Sequence, residues 1–207
     1  MGFRAEQSSS SWMRQGCLLF FGLFWTGFSS IFLIVGLVNG EWAFIGIGGL
    51  FVLIGLVILG YGLMQLLTRY LVGKPEITLS NQHQLRVGEK LTVTWHHSFR
   101  RSVTVEKLQV QLILREIATY QQGTDTKTVT YNDVIDVYEE PGYDYSGGEM
   151  IQGGYDFVIP TSSMHTFKVR RNEIKWILQF KLDVANLPDY VDEYELTVLP
   201  QMVMNNG

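Results

Sequence analysis

The sequence has one cysteine, Cys17, among 207 residues. A single cysteine excludes a disulfide within the chain, which suits a reducing compartment without requiring one. The sequence also lacks the G-x-x-x-x-G-K-[ST] and G-x-G-x-x-G patterns, whose glycine-rich loops cradle phosphates, so the common nucleotide-binding loops are excluded. The G-x-S-x-G turn of many serine hydrolases is missing too.

Charged side chains are scarce in one long stretch. Between Gln15 and Arg69 the only Asp, Glu, Lys, Arg or His is Glu41. Residues 1–74 carry a net charge of +2, which leaves −6 for the remainder of a chain whose total is −4. Binding a phosphate backbone needs clustered Lys and Arg, so we expect no nucleic-acid partner.

Two apolar runs, residues 16–38 and 43–67, fill this stretch. Each is longer than the roughly 20 residues that cross a membrane as a helix. A cleaved signal peptide is the alternative for the first run, but its apolar region would be only about 7–15 residues long. We therefore predict an N-terminal tail over 1–15, a transmembrane hairpin over 16–70 and a linker over 71–75.

The basic residues near the hairpin lie outside it. Arg4 and Arg14 precede the first run, Arg69 and Lys74 follow the second, and the connecting turn carries only Glu41. Cytoplasmic flanks carry the excess of Lys and Arg, so both termini are predicted to face the cytoplasm.

Small residues recur every seven positions in both runs, which places each set along one helix face. Such faces let two helices approach closely in lipid. The alternative is that glycine is simply frequent in membrane helices. We predict that two small-residue faces meet across the hairpin, formed by Gly22, Ser29 and Gly36 in the first run and by Gly48, Gly55 and Gly62 in the second.

After the linker the hydrophobic period changes to two, which is typical of half-buried strands. The clearest example is residues 174–184. The pattern predicts an all-β domain over 76–200, an antiparallel β-sandwich of about seven strands, with a C-terminal tail over 201–207. The strands are predicted at 76–80, 91–96, 103–118, 126–138, 149–159, 174–184 and 192–199.

Spaced turn and apolar residues give this domain a family resemblance. They are the turn Val87-Gly88-Glu89, the strand from Leu108 to Glu116, the segment around Phe157, Ile159 and Pro160, and the pair Ile174 and Trp176. The order of these residues looks like that of an arrestin-type, immunoglobulin-like sandwich. The chain is similar to bacterial membrane proteins that combine two membrane spans with such a sandwich. The resemblance implies a protein-binding scaffold in a bacterial inner membrane. It covers a single lobe, so receptor and phosphate recognition are not implied.

An acidic, tyrosine-rich loop is predicted between residues 138 and 155. Tyrosine is enriched at protein interfaces, so Tyr138, Tyr143, Tyr145 and Tyr155 are candidate contacts for a protein partner. A solvated acidic loop and a calcium site are the alternatives, although the ordered spacing of a calcium loop is missing. His96 and His97 would point to opposite faces of a strand, which disfavours zinc.

The sequence as a whole predicts a non-enzymatic membrane protein whose cytoplasmic sandwich binds another protein. We expect no cofactor and no metal, and two partners: the lipid bilayer and a protein. The alternative is an accessory subunit of a membrane complex that uses the glycine-lined helices for assembly.

Overall fold

The computed structural model describes residues 3–5 and 10–201, and the chain divides into two compact units. One unit comprises Leu71–Ala185 and Tyr190–Gly207 together with the N-terminal residues to Ser8, and the other comprises Ser9–Tyr70 and Asn186–Asp189. The first is rich in β-strands and the second is helical.

The helical unit is a hairpin of two long helices, α1 (Ser10–Asn39) and α2 (Trp42–Val72). Both are long and apolar enough to cross a membrane, over Gly16–Asn39 and Trp42–Val72. Gly40 adopts a positive φ of 69° between them, a conformation that glycine reaches without steric cost. The Glu41 amide donates to the Gly36 carbonyl at 3.0 Å, so the reversal takes two residues.

The β-rich unit contains strands of very different lengths. Seven of those in the described residues have four residues or more, and five have two. They are β1 (Phe3–Arg4), β2 (Glu76–Leu79), β3 (Leu85–Arg86), β4 (Lys90–Ser98), β5 (Val103–Gln122), β6 (Asp125–Pro141), β7 (Asp144–Tyr145), β8 (Met150–Val158), β9 (Phe167–Lys168), β10 (Asn172–Val184), β11 (Tyr190–Leu196) and β12 (Val198–Leu199).

These strands form two main sheets. One has the order β1-β2-β4-β8, and the other has the order β11-β10-β5-β6, with β7 paired to β5 and β9 to β10. All pairs within these sheets are antiparallel, whereas β12 and β3 form a short parallel pair.

The two main sheets share a core. In β4, Leu91, Val93 and Trp95 are buried while the residues between them are exposed, as the alternation predicts. In β10, the buried face includes Trp176 and Phe180. The Trp95 and Phe180 rings lie 6.5 Å apart, so side chains from the two sheets are in contact.

Two features differ from the sequence prediction. The segment 138–155 is mostly strand rather than loop, because β6 runs to Pro141, β7 covers Asp144–Tyr145 and β8 begins at Met150. The predicted N-terminal tail contains a strand, since Phe3 pairs with Leu79 and Arg4 with Thr78. Two-residue strands carry too little alternation to be recognised in a sequence.

Candidate functional site

Two of the four candidate tyrosines belong to an aromatic row rather than to a free surface. Tyr138 lies 5.2 Å from Trp95 and 5.2 Å from Tyr155, measured between ring centroids. Tyr155 in turn lies 4.8 Å from Phe157. Desolvation raises the pKa of Tyr138, and the adjacent Glu140 carboxylate raises that pKa further. These two half-buried rings therefore pack against the buried side chains of Trp95 and Phe157 at the edge of the core.

The other two tyrosines, Tyr143 and Tyr145, lie inside the same segment, between Tyr138 and Tyr155. Tyr145 stacks on the buried ring of Phe99 at 4.6 Å, and desolvation followed by the nearby carboxylates of Glu140 and Glu149 raises its pKa. Tyr143 is 62% exposed. It is therefore the candidate tyrosine that is free to meet a partner.

Hydrogen bonds hold the segment around Tyr143 in place. The Val105 amide donates to the Tyr143 carbonyl at 3.1 Å, and the Thr104 hydroxyl donates to the Asp144 carboxylate at 2.6 Å. Further along, the Gly148 amide donates to the Phe99 carbonyl at 2.8 Å. The backbone below Tyr143 is thus fixed, although most of its side chains are exposed.

Met150 adds a second apolar side chain next to this segment. It is 61% exposed at the start of β8, where it pairs with Ser98. Aromatic residues and methionine are enriched in protein interfaces. We call Tyr143 and Met150, with the fixed backbone between them, the Tyr143 surface.

His97 is the second notable side chain, and it is 2% exposed. Its ring packs edge-on against Phe99 at 4.7 Å, below the buried linker residues Val72 and Gly73. Burial lowers its pKa, an effect that the backbone of Val72 and Lys74 partly offsets. In the described part of the chain, neither ring nitrogen makes a well-aligned hydrogen bond. His96 is exposed, so the two histidines do point to opposite faces.

A shallow polar groove of about 510 Å³ crosses the outer face of the four-stranded sheet. It exists because Gly154 places no side chain beside Thr94, its partner on β4. Glu76 and His96 face each other across the groove in adjacent strands. Within the described residues, no group of three His, Cys, Asp or Glu is placed to hold a metal ion.

The structure places all six small residues of the hairpin on buried positions. A Cβ atom at Gly48 would lie 2.6 Å from the Leu33 amide nitrogen, and one at Gly36 would lie 2.7 Å from the Ile45 nitrogen. Added Cβ atoms at Gly22, Gly55 and Gly62 would meet side chains of the opposite helix. Each of these five glycines therefore lies against the opposite helix, where its neighbours are larger residues such as Leu33, Ile45 and Leu59.

A polar network on the outer face of the six-stranded sheet was not predicted from the sequence. Arg115 of β5 donates to both carboxylate oxygens of Glu193 on β11, at 3.1 and 2.9 Å. Gln179 of β10 also donates to Glu193, and Asn132 of β6 accepts from Arg115 at 2.8 Å. This network links four strands. The contact between Arg115 and Glu193 is bidentate and charge-assisted, so it is stronger than a hydrogen bond between neutral groups. Only the strand register could have revealed it.

Comparison with known proteins shows the fold of the β-rich unit. No protein family model and no curated protein matches the chain. Among 139 matching chains of solved structures is Spo0M, a sporulation control protein from Bacillus subtilis. It is 16% identical, with a TM-score of 0.50 over 61% of this chain and 49% of Spo0M. This chain thus spans about half the length of Spo0M. The likeness shows an arrestin-like β-rich domain.

Proposed function

We propose that this protein is a membrane-anchored, non-enzymatic interaction module. Its helical hairpin spans the bacterial inner membrane, and its arrestin-like β-sandwich binds another protein on the cytoplasmic side through the Tyr143 surface. The main observation that supports this proposal is an apolar hairpin in the same chain as a domain with an exposed tyrosine on a fixed backbone.

Exposed apolar side chains support the membrane part of the proposal. Phe20 is 72% exposed, Leu23 63% and Val57 73%, and they represent many others on both helices. Soluble monomers rarely expose contiguous apolar surface of this kind, and lipid covers it without cost. The glycine faces are already occupied inside the hairpin, so the helices need no further protein to bury them.

The shared core of the two sheets supports a sandwich. The Tyr143 surface supports binding because an ordered backbone loses little entropy when a partner docks. The backbone hydrogen bonds to Val105 and Phe99 supply that order before any partner arrives.

The accessory-subunit alternative relied on the glycine faces. Since these faces pack within the hairpin, a subunit role would have to use the outward faces of α1 and α2, which are lined with large apolar residues.

A photo-crosslinking experiment tests the binding proposal. A photoreactive phenylalanine analogue at Tyr143 should give an adduct with a distinct protein in living cells. The matched control is Phe167, an exposed ring that pairs with Ile174 near the start of β10. Tyr143 lies at the other end of β10, because its carbonyl is bonded to Val105, which pairs with Val184. Ten strand residues separate the two ends by roughly 33 Å. Identical adducts from both positions, or none from Tyr143, would contradict the proposal.

A further inference from the structure

The first half of β6 is an uncovered sheet edge. In the order β11-β10-β5-β6, this strand is terminal, and no strand of the described residues pairs with its outer side. Every residue from Asp125 to Val134 is exposed, including Val129 at 51% and Tyr131 at 62%. A bulge interrupts the regular pairing with β5 only at Ile135.

Such an edge is unusual for a monomer. Natural proteins protect edge strands with prolines, bulges, charges or covering segments, because the unpaired backbone groups recruit another strand. Residues 125–134 contain no proline and no bulge, and they are rich in threonine, valine and tyrosine, which favour strands. Their three charges, Asp125, Lys127 and Asp133, are of both signs, so a strand with complementary charges is not repelled.

A second copy of the chain could pair with this edge only in certain registers. An antiparallel pair of identical strands is related by a two-fold axis perpendicular to the sheet. This operation keeps each side chain on its own face, and opposed residues must share a face. Opposed residues therefore differ by an even number of positions in the sequence. The axis lies midway between two opposed copies of one residue, and the register is named by that residue.

One of the permitted registers is self-complementary. With the axis at Thr130, Lys127 lies opposite Asp133 at both ends of the pair, and Val129 lies opposite Tyr131 twice. Opposite charges and aromatic–β-branched pairs stabilise antiparallel strands. Within the described residues, the Lys127 and Asp133 side chains make no ion pair or hydrogen bond of their own, so both are available.

The neighbouring permitted registers lack this match. With the axis at Val129, Asp125 would face Asp133, which places like charges together at both ends. With the axis at Tyr131, Val129 would face Asp133 and Lys127 would face Ile135, which leaves both charges opposite apolar side chains. Thr130 is therefore the only one of these three centres that pairs Lys127 with Asp133, although Asp125 then faces Ile135.

We propose that two copies of this protein associate through β6, antiparallel and centred on Thr130. The resulting sheet runs without interruption through β11-β10-β5-β6 of one copy and the same strands of the other. This dimer is independent of the Tyr143 surface, so either proposal can fail alone.

Disulfide trapping tests the register. In the full-length Cys17→Ser protein in detergent, Thr130→Cys should form a disulfide dimer, because opposed Cα atoms lie about 4.5–5.5 Å apart, within disulfide range. The control Thr126→Cys should stay monomeric under the same oxidation, since its two copies would be roughly 27 Å apart. Equal trapping at both positions, or none at Thr130, would overturn the proposal.

A charge swap tests the proposed ion pairs. Lys127→Asp should weaken the dimer by about tenfold or more, as judged by mass measurement in detergent across a dilution series, because like charges then face each other twice. The swapped variant Lys127→Asp/Asp133→Lys should regain the wild-type association. Failure of the swap to restore the dimer would refute this register, and so would a wild-type chain that is monomeric or that carries a different protein on this edge.

Discussion

At the scale of the single residue, the imidazole of His97 is buried within the β-rich unit. Its ring lies beneath Val72 and Gly73 and against Phe99. Protonation would place a charge in this buried position, where few polar groups can solvate it.

The stability of the β-rich unit should consequently depend on pH. The folded pKa of His97 lies below its ordinary value of 6.5. The contribution of neutral, buried His97 to stability is therefore complete when the pH is above the pKa that this histidine has in the unfolded chain. The contribution is lost as the pH falls through the lower pKa of His97 in the folded protein, because the unfolded chain binds the proton at a higher pH. Tryptophan-detected thermal unfolding of the full-length protein in detergent should show a lower Tm at pH 5.5 than at pH 7.5.

The matched variants for this experiment are His97→Gln and His96→Gln. The first should reduce the pH dependence of Tm strongly, whereas the second should change it much less, because His96 is exposed on the other face of β4 and is the smallest of the influences on the pKa of His97. Equal pH dependence in all three proteins would show that His97 does not control it.

The sequence revealed some single-residue environments and not others. The alternation of β4 was sufficient to place His96 and His97 on opposite faces. It was not sufficient to separate the exposed Tyr143 from Tyr138, because the burial of Tyr138 depends on Trp95, which is 43 positions distant in a different sheet. Side-chain contacts between sheets have no local sequence signal.

At the scale of the element, the hairpin depends on close approach between α1 and α2. An alanine Cβ at Gly48 would meet the backbone of Leu33 at 2.6 Å, and backbone cannot move aside as a side chain can. Gly46, two residues earlier on the same helix, has nothing within 4 Å of an added Cβ.

Gly48→Ala should therefore destabilise the hairpin by about 1–3 kcal/mol, the typical cost of overpacking. Gly46→Ala brings the same gain in helix propensity without the clash, so it should be neutral or slightly stabilising. Loss of helical circular dichroism during titration of each full-length variant with a denaturing detergent would measure the difference. Equal midpoints would contradict close packing at Gly48.

The long strands were predictable and their lengths were not. Period-two patterning located the seven longer strands, yet β5 extends to Gln122 and β6 to Pro141, beyond their predicted ends at 118 and 138. At the end of β5 the alternation of burial fades because the distal hairpin is exposed on both faces, whereas at the end of β6 it continues through residues 137–141. Backbone pairing continues where hydrophobic patterning stops, from Ala118 with Val129 to Gln122 with Asp125.

At the scale of the whole molecule, orientation in the membrane decides which partners are accessible. The basic flanks predict a cytoplasmic β-rich unit. A cysteine at the exposed position 147, in a Cys17→Ser background, should resist a membrane-impermeant maleimide in intact cells and react after lysis. Replacement of Glu41 in the connecting turn by cysteine is the matched control and should show the opposite pattern. Labelling of position 147 in intact cells would reverse the proposed topology.

The uncovered strand β6 also has a consequence for evolution. Because the strand meets a copy of itself in the proposed dimer, a single codon change at Lys127 or Asp133 alters two contacts at once. One mutation then weakens both contacts of the proposed dimer, and one reversion restores both. An interface between two different proteins changes more slowly, since compensation there requires a second gene. Lineages of this protein can therefore weaken or restore self-association in single steps.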